Sequence, residues 1–114
     1  MPAMKAYPMK CTPIFKPRIW GGQTLQRVFG KALPPGAKIG ESWELADLPD
    51  DKTVIGNGSF QSRTLTDVVR QHPQEITGVR DFPAPFPLLI KLLDAHDVLS
   101  VQVHPDPETC ERMG

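Results

Sequence analysis

The stretch Leu99–Pro105, LSVQVHP, alternates apolar and polar residues along its length. A period of two places successive side chains on opposite faces of a β-strand. Ser100, Gln102 and His104 are therefore predicted to share one face of a strand. An imidazole and a carboxamide at this spacing are suitable as a pair of metal ligands. Taken alone, the pattern is more typical of a strand with a solvated polar face, since one His does not make a metal site.

The apolar run Leu88–Leu93 precedes this stretch and predicts a buried strand that forms a hairpin with Val98–His104. Lys91 interrupts the run, and an ammonium group is seldom buried without a partner. This side chain either extends to solvent at the sheet edge or points into a polar cavity. In a cavity it would contact an anion or take part in proton transfer.

Two further segments upstream place polar or aromatic groups in extended chain. Residues 39–47, IGESWELAD, predict a strand in which Glu41 and Glu44 lie on opposite faces, so the two are not a paired acid and base. Residues 18–22, RIWGG, set Trp20 before a double glycine, where a turn or a close backbone approach is expected. Trp20 is either a wall of a sugar site or a core residue.

Three short helices are predicted from caps and apolar spacing. Residues 23–29 carry apolar side chains at positions i, i+3 and i+4, and Gly30 follows as a stop. Thr64 and Asp67 form a capping-box pattern before the second helix. Asp106 is placed to cap a third helix that starts at Pro107.

The composition indicates a globular protein with no strong charge preference. The 114 residues include 13 prolines, dispersed between short apolar runs, which favours a β-rich chain. The formal net charge is zero, so neither nucleic acid nor a membrane is expected as a partner. The cluster of Lys10, Lys16 and Arg18 is either a phosphate contact or a solvated surface. Cys11 and Cys110 fit no zinc spacing, which favours free thiols in a cytoplasmic protein.

Three segments together resemble the N-terminal part of the type I mannose-6-phosphate isomerases, zinc-dependent enzymes of the cupin superfamily. They are PIFKPRIWGG (Pro13–Gly22), IGESWELAD (Ile39–Asp47) and FPLLIKLLDAHDVLSVQVHPD (Phe86–Asp106). The QVHP sequence after the lysine-bearing strand is the most specific of the matches. The resemblance implies a mainly β fold with short helices, the N-terminal and incomplete part of a cupin jelly roll (double-stranded β-helix). Residues 1–114 would be the N-terminal portion of a single catalytic domain.

The resemblance also implies a zinc site. Gln102 and His104 match two of the family's zinc ligands. The remaining ligands, a Glu and a second His, come from later segments of the family's sequence. A complementing C-terminal segment is therefore expected as a partner, and the 114-residue chain alone is expected to be inactive.

The same resemblance assigns the other cavity residues. Lys91 and Glu41 are implied as catalytic residues, with Glu41 rather than Glu44 as the cavity carboxylate. Ser100 and Trp20 are implied as contacts to a hexose 6-phosphate, and the implied reaction interconverts mannose 6-phosphate and fructose 6-phosphate. Two alternatives remain: a non-catalytic sugar-phosphate-binding module, and a cupin of oxygenase type. The order Gln then His disfavours the second, because the oxygenase triad uses two His and a carboxylate.

Overall fold

The structure is a computed structural model that describes residues 4–114 as two small antiparallel sheets with short helices on the connections. The elements in chain order are β1 (Cys11–Thr12), β2 (Ile14–Gly22), α1 (Thr24–Phe29), β3 (Ile39–Leu45), β4 (Val54–Ile55), a 3₁₀ turn (Gly58–Phe60), α2 (Leu65–Gln71), α3 (Pro73–Thr77), β5 (Ile90–Leu93) and α4 (Pro107–Met113). This is the mainly β fold with short helices that the sequence predicts.

The larger sheet has the order β2-β3-β5, so the strand that carries Glu41 lies at its centre. Pro17 and Gly22 both align with Ile39, which means that residues 18–21 bulge out of the sheet. Gly21 permits this bulge, because a Cβ there would lie 2.4 Å from the backbone nitrogen of Gly40. The predicted close approach at the double glycine is confirmed, whereas the predicted turn is wrong, since both glycines belong to β2.

Two groups of buried apolar side chains fix the elements. The first group surrounds Ile39 on the central strand and includes Leu25 of α1. The second group joins Ile55 of β4 to Val68 of α2. Val28 and Phe29 of α1 remain more than half exposed, so the predicted helix forms but only part of its apolar face is covered.

The predicted helix caps are confirmed. The Thr64 hydroxyl accepts a hydrogen bond from the backbone N–H of Asp67, and the Asp106 carboxylate accepts one from the N–H of Thr109. Gly30 ends α1 in the left-handed conformation, with a φ of 68°. Among residues 4–114, no helix combines the length and the apolar character needed to cross a bilayer.

The predicted hairpin of Leu88–Leu93 with Val98–His104 is wrong. The first strand shrinks to β5, which pairs with β3, and no strand or helix forms between Leu93 and Pro107. The apolar side chains of the second segment lie open, with Val101 96% and Val103 82% exposed. A strand needs a neighbour for its backbone N–H and C=O groups, and no described strand pairs with the outer edge of β5.

Candidate active-site cavity

One cavity of about 340 Å³ is lined by all six residues that the family resemblance implies for a site. Its walls are built by eight side chains: Trp20, Glu41, Lys91, Leu93, Leu99, Ser100, Gln102 and His104. The set comes from four separate parts of the chain, so its convergence is a result of the tertiary structure. The roles of these residues remain predictions.

The bulge of β2 and the loop after β5 hold the cavity in shape. The backbone N–H of Asp97 donates to the carbonyl of Trp20 at 3.0 Å, and that of Asp94 donates to the carbonyl of Gly40 at 2.8 Å. The Asp94 carboxylate in turn accepts the N–H of Thr24 at 2.9 Å, at the start of α1. These bonds anchor the first residues of the segment that continues to Ser100, Gln102 and His104.

Glu41 is the charged centre of the cavity, and it is only 5% exposed. Its Oε1 accepts a hydrogen bond from Lys91 Nζ at 2.9 Å, and its Oε2 accepts one from Arg18 Nη2 at 2.7 Å. The indole N–H of Trp43 lies 3.4 Å from the same Oε2. Burial acts to raise the pKa of Glu41, but the bonds and charges of Lys91, Trp43 and Arg18 together hold that pKa below its ordinary value. Glu41 is therefore an ionised, fully partnered carboxylate.

Lys91 points into the cavity rather than along the sheet edge to bulk solvent. Its side chain lines the cavity and forms an ion pair with Glu41 while remaining 37% exposed. The apolar run around Lys91 is not buried as predicted, since Ile90 and Leu93 are each 50% exposed. Of the two positions considered for Lys91, the sheet edge and a polar cavity, the structure shows the cavity.

Glu44 lies on the other face of β3, as its spacing from Glu41 predicts. It accepts a hydrogen bond from the hydroxyl of Ser42 at 2.7 Å and pairs with Lys31 at 2.7 Å. Glu41 is consequently the carboxylate of this strand that lines the cavity.

Gln102 and His104 bring an amide oxygen and an imidazole to one wall of the cavity. The amide nitrogen of Gln102 lies 3.4 Å from the hydroxyl of Ser100 on the same wall. Nitrogen and oxygen donors suit zinc. A catalytic zinc site takes three protein ligands, and this wall offers two. Within residues 4–114 no group of three or more His, Cys, Asp or Glu side chains could hold a metal ion. The donor chemistry therefore fits part of a zinc site.

Arg18 is the contact to Glu41 that the sequence did not single out, because it stood in a basic cluster with Lys10 and Lys16. Lys16 turns away to Asp51, at 2.6 Å, and its Nζ lies 4.5 Å from the centroid of the Trp43 ring. The spacing of Arg18 from Trp20 could have indicated this contact, because residues two apart in an extended chain lie on the same face.

A family model describing the catalytic domain of type I phosphomannose isomerase matches residues 8–113. The chain belongs to the type I phosphomannose isomerase family. The three sequence segments that resemble this family all lie within the matched range. The family assignment made from the motifs is therefore confirmed.

Relatives and solved structures give the same assignment. A probable mannose-6-phosphate isomerase, GmuF, of Bacillus subtilis is 44% identical over 102 residues, which is 90% of this chain and 31% of the relative. The mannose-6-phosphate isomerase ManA of Bacillus subtilis is 39% identical, over 92% of this chain and 32% of the relative. The crystal structure of a Bacillus subtilis mannose 6-phosphate isomerase matches with a TM-score of 0.68 and 36% identity, over 77% of this chain and 27% of that one.

A mutant of phosphomannose isomerase from Salmonella typhimurium has a TM-score of 0.69 at 23% identity, which supports the fold. The match covers 91% of the chain described here and 27% of the Salmonella chain. The chain thus spans about a third of the length of the curated relatives that it matches.

Proposed function

We propose that these residues are the N-terminal part of a zinc-dependent mannose-6-phosphate isomerase, which interconverts mannose 6-phosphate and fructose 6-phosphate. The observation that carries the proposal is the single cavity in which Trp20, Glu41, Lys91 and Ser100 meet Gln102 and His104. Relatives named as mannose-6-phosphate isomerases support the choice of reaction. The free thiols of Cys11 and Cys110 are consistent with the reducing cytoplasm, where we place the enzyme.

The substrate is a phosphorylated sugar, and the cavity offers one group suited to each part of it. The ammonium of Lys91 supplies a cation for an anionic oxygen, and the hydroxyl of Ser100 supplies a hydrogen bond. The indole of Trp20 supplies an apolar wall for the carbon face of the sugar. Each of these groups lines the same cavity, so one hexose phosphate would contact all three.

Isomerisation moves a proton between C1 and C2 of the sugar through an enediol, and negative charge develops on the oxygens. We assign Lys91 to stabilise that charge by donating a hydrogen bond. We assign Glu41 to orient the Lys91 ammonium and to accept a hydrogen bond from a sugar hydroxyl. A carboxylate paired with two cations is a weak base, so proton abstraction from carbon belongs to a group outside this set.

Gln102 and His104 would hold zinc together with two ligands from a longer chain. Zinc, when bound, supplies a Lewis acid that polarises the sugar oxygens without redox chemistry. The chain of residues 1–114 alone is proposed to be inactive, because two donors hold zinc poorly. The exposed apolar side chains of residues 98–103 support a complementing segment that covers them.

The test joins this chain to the remaining two thirds of GmuF and assays fructose 6-phosphate formation and zinc content. The joined protein is expected to bind one zinc and to turn over substrate, whereas the 114-residue chain does neither. His104→Ala is expected to remove zinc and activity, with His72→Ala as the matched control. A folded joined protein that binds zinc and fails to isomerise mannose 6-phosphate would overturn the proposal.

The second candidate is a sugar-phosphate-binding module without catalysis. It is favoured by the contacts of Trp20, Lys91 and Ser100, which need no metal to line the cavity. In that case His104→Ala leaves the affinity for fructose 6-phosphate unchanged. A loss of affinity with the loss of metal decides for the enzyme.

A further inference from the structure

Two cations share one buried carboxylate at the cavity wall. Glu41 gives one oxygen to Lys91 and the other to Arg18, so each cation holds half of the anion. We propose that Arg18 is a positioning residue: by taking one oxygen of Glu41, it leaves Lys91 able to bind an anion in the cavity. The identity of that anion as the phosphate or an oxyanion of the substrate rests on the proposed function.

Charge counting shows why a second cation matters. Lys91 and Glu41 alone form a neutral pair, in which the ammonium has its full counter-charge. With Arg18 added, the group of three carries one net positive charge, and Glu41 is the one carboxylate among the described side chains that line the cavity. A net charge in a partly desolvated cavity raises the local concentration of an anionic ligand.

Arg18 is anchored through its backbone and the base of its side chain, although that side chain is 38% exposed. Its Cβ and Cγ pack against the backbone of Gly40, where any Cβ would lie 2.6 Å from them. Its backbone N–H donates to the carbonyl of Lys38 at 3.0 Å, and its Nη1 donates to the carbonyl of Pro17 at 3.0 Å. These contacts hold the guanidinium beside Oε2 of Glu41 without any contribution from Lys91.

The structure thus contains an asymmetry between the two cations. The Arg18 guanidinium is planar, permanently charged and held at both ends, while Lys91 carries its charge on a flexible stem of four carbons. Of the pair, Lys91 is the cation that lines the cavity. In this proposal Arg18 acts on the ligand through Glu41.

The test uses the 114-residue chain and two readouts. The first is the titration of the Glu41 carboxyl carbon by NMR, and the second is the binding of inorganic phosphate at constant ionic strength. Arg18→Gln is expected to raise the pKa of Glu41 and to weaken phosphate binding about threefold to fivefold, the range of a partly exposed ion pair. Arg18→Lys is expected to restore most of both effects. Lys38→Gln removes an exposed neighbouring charge and is expected to change neither.

The outcomes separate this inference from the proposed function. If Arg18→Gln leaves the titration of Glu41 unchanged while the amide spectrum shows a folded chain, the role of Arg18 is overturned. If Arg18→Lys fails to restore the titration, a positioning role is also overturned in favour of simple packing. If no variant binds phosphate, the unsubstituted chain included, Lys91 does not bind an anion in this cavity and the inference is overturned. The activity of the protein joined to the remainder of GmuF then still decides the proposed function.

Discussion

Lys91 Nζ lies 2.9 Å from Glu41 Oε1, although the two residues are 50 positions apart in the chain. They are not opposite each other in the sheet, since Lys91 aligns with Trp43 and Glu41 aligns with Leu93. The ion pair is therefore diagonal across β3 and β5, a separation that only a long side chain can bridge. This diagonal contact turns Lys91 over the cavity and leaves Glu41 a second oxygen for Arg18.

Replacing Glu41 by Gln is expected to lower the free energy of unfolding by about 1–2 kcal/mol, because two partly exposed cations lose their shared anion. The pKa of Glu41 is lowered in the folded state, so its contribution is present above the ordinary glutamate pKa and is lost as pH falls through the folded pKa. Urea unfolding at several pH values measures this. Glu75→Gln, at an exposed helix position, is the control; equal losses for both variants would contradict the expectation.

Asp47 connects the end of β3 to the loop that leads into β5. Its carboxylate accepts bonds from the hydroxyl of Thr66, the Nζ of Lys52 and the backbone N–H of Phe86. Asp47→Asn is expected to cost about 1–3 kcal/mol at neutral pH, because the new amide leaves one of these donors without an acceptor. Urea denaturation measures the loss, with Asp50→Asn in the adjacent exposed turn as the control.

The cost of Asp47→Asn is expected to depend on pH. Burial acts to raise the pKa of Asp47, yet its hydrogen bonds from Thr66, Phe86 and Lys52 hold that pKa below its ordinary value. The stabilisation is fully present above the ordinary aspartate pKa and disappears as pH falls through the folded pKa. If the difference in unfolding free energy between the unsubstituted chain and Asp47→Asn grew as pH fell, this pH dependence would be contradicted.

Gly21→Ala is expected to destabilise the chain by about 1–3 kcal/mol, since its methyl group would meet the backbone of Ile39 and Gly40 at 2.4 Å. Backbone atoms of the central strand cannot move aside without breaking the bulge that carries Trp20. Thermal or urea unfolding measures the effect. Gly56→Ala is the matched control, because its nearest neighbour is the Thr12 hydroxyl at 3.3 Å. Equal stability of the two variants would contradict the proposed close approach.

The exposed side chains of Val101 and Val103 are expected to cause self-association of the 114-residue chain at high concentration. Replacing both by Ser should reduce the association measured by sedimentation and change the free energy of unfolding by less than about 0.5 kcal/mol. Val68→Ala, at a fully buried position, should instead cost about 2 kcal/mol without reducing association. Unchanged association of the double variant would show that another surface is responsible.

Local signals predicted the parts of the fold that depend on neighbours in sequence. The cap at Thr64, the stop at Gly30 and the strand around Glu41 all formed as predicted, because capping and period-two alternation are short-range effects. The strand at Leu99–Pro105 did not form, although its alternation is the clearest in the chain. Alternation specifies which side chains share a face, and a partner strand must still supply the hydrogen bonds.

The family could be assigned from the sequence alone, because the QVHP motif and the lysine-bearing run Leu88–Leu93 both resemble it. The sequence also separated Glu41 from Glu44, because two residues three apart on a strand face opposite ways. Two contacts became visible only in the tertiary structure: Lys91 faces the cavity, and Arg18 and Lys91 share the carboxylate of Glu41. Those contacts depend on the register of β3 with β5 and on the bulge in β2. Both are long-range pairings of backbone groups that no local pattern encodes.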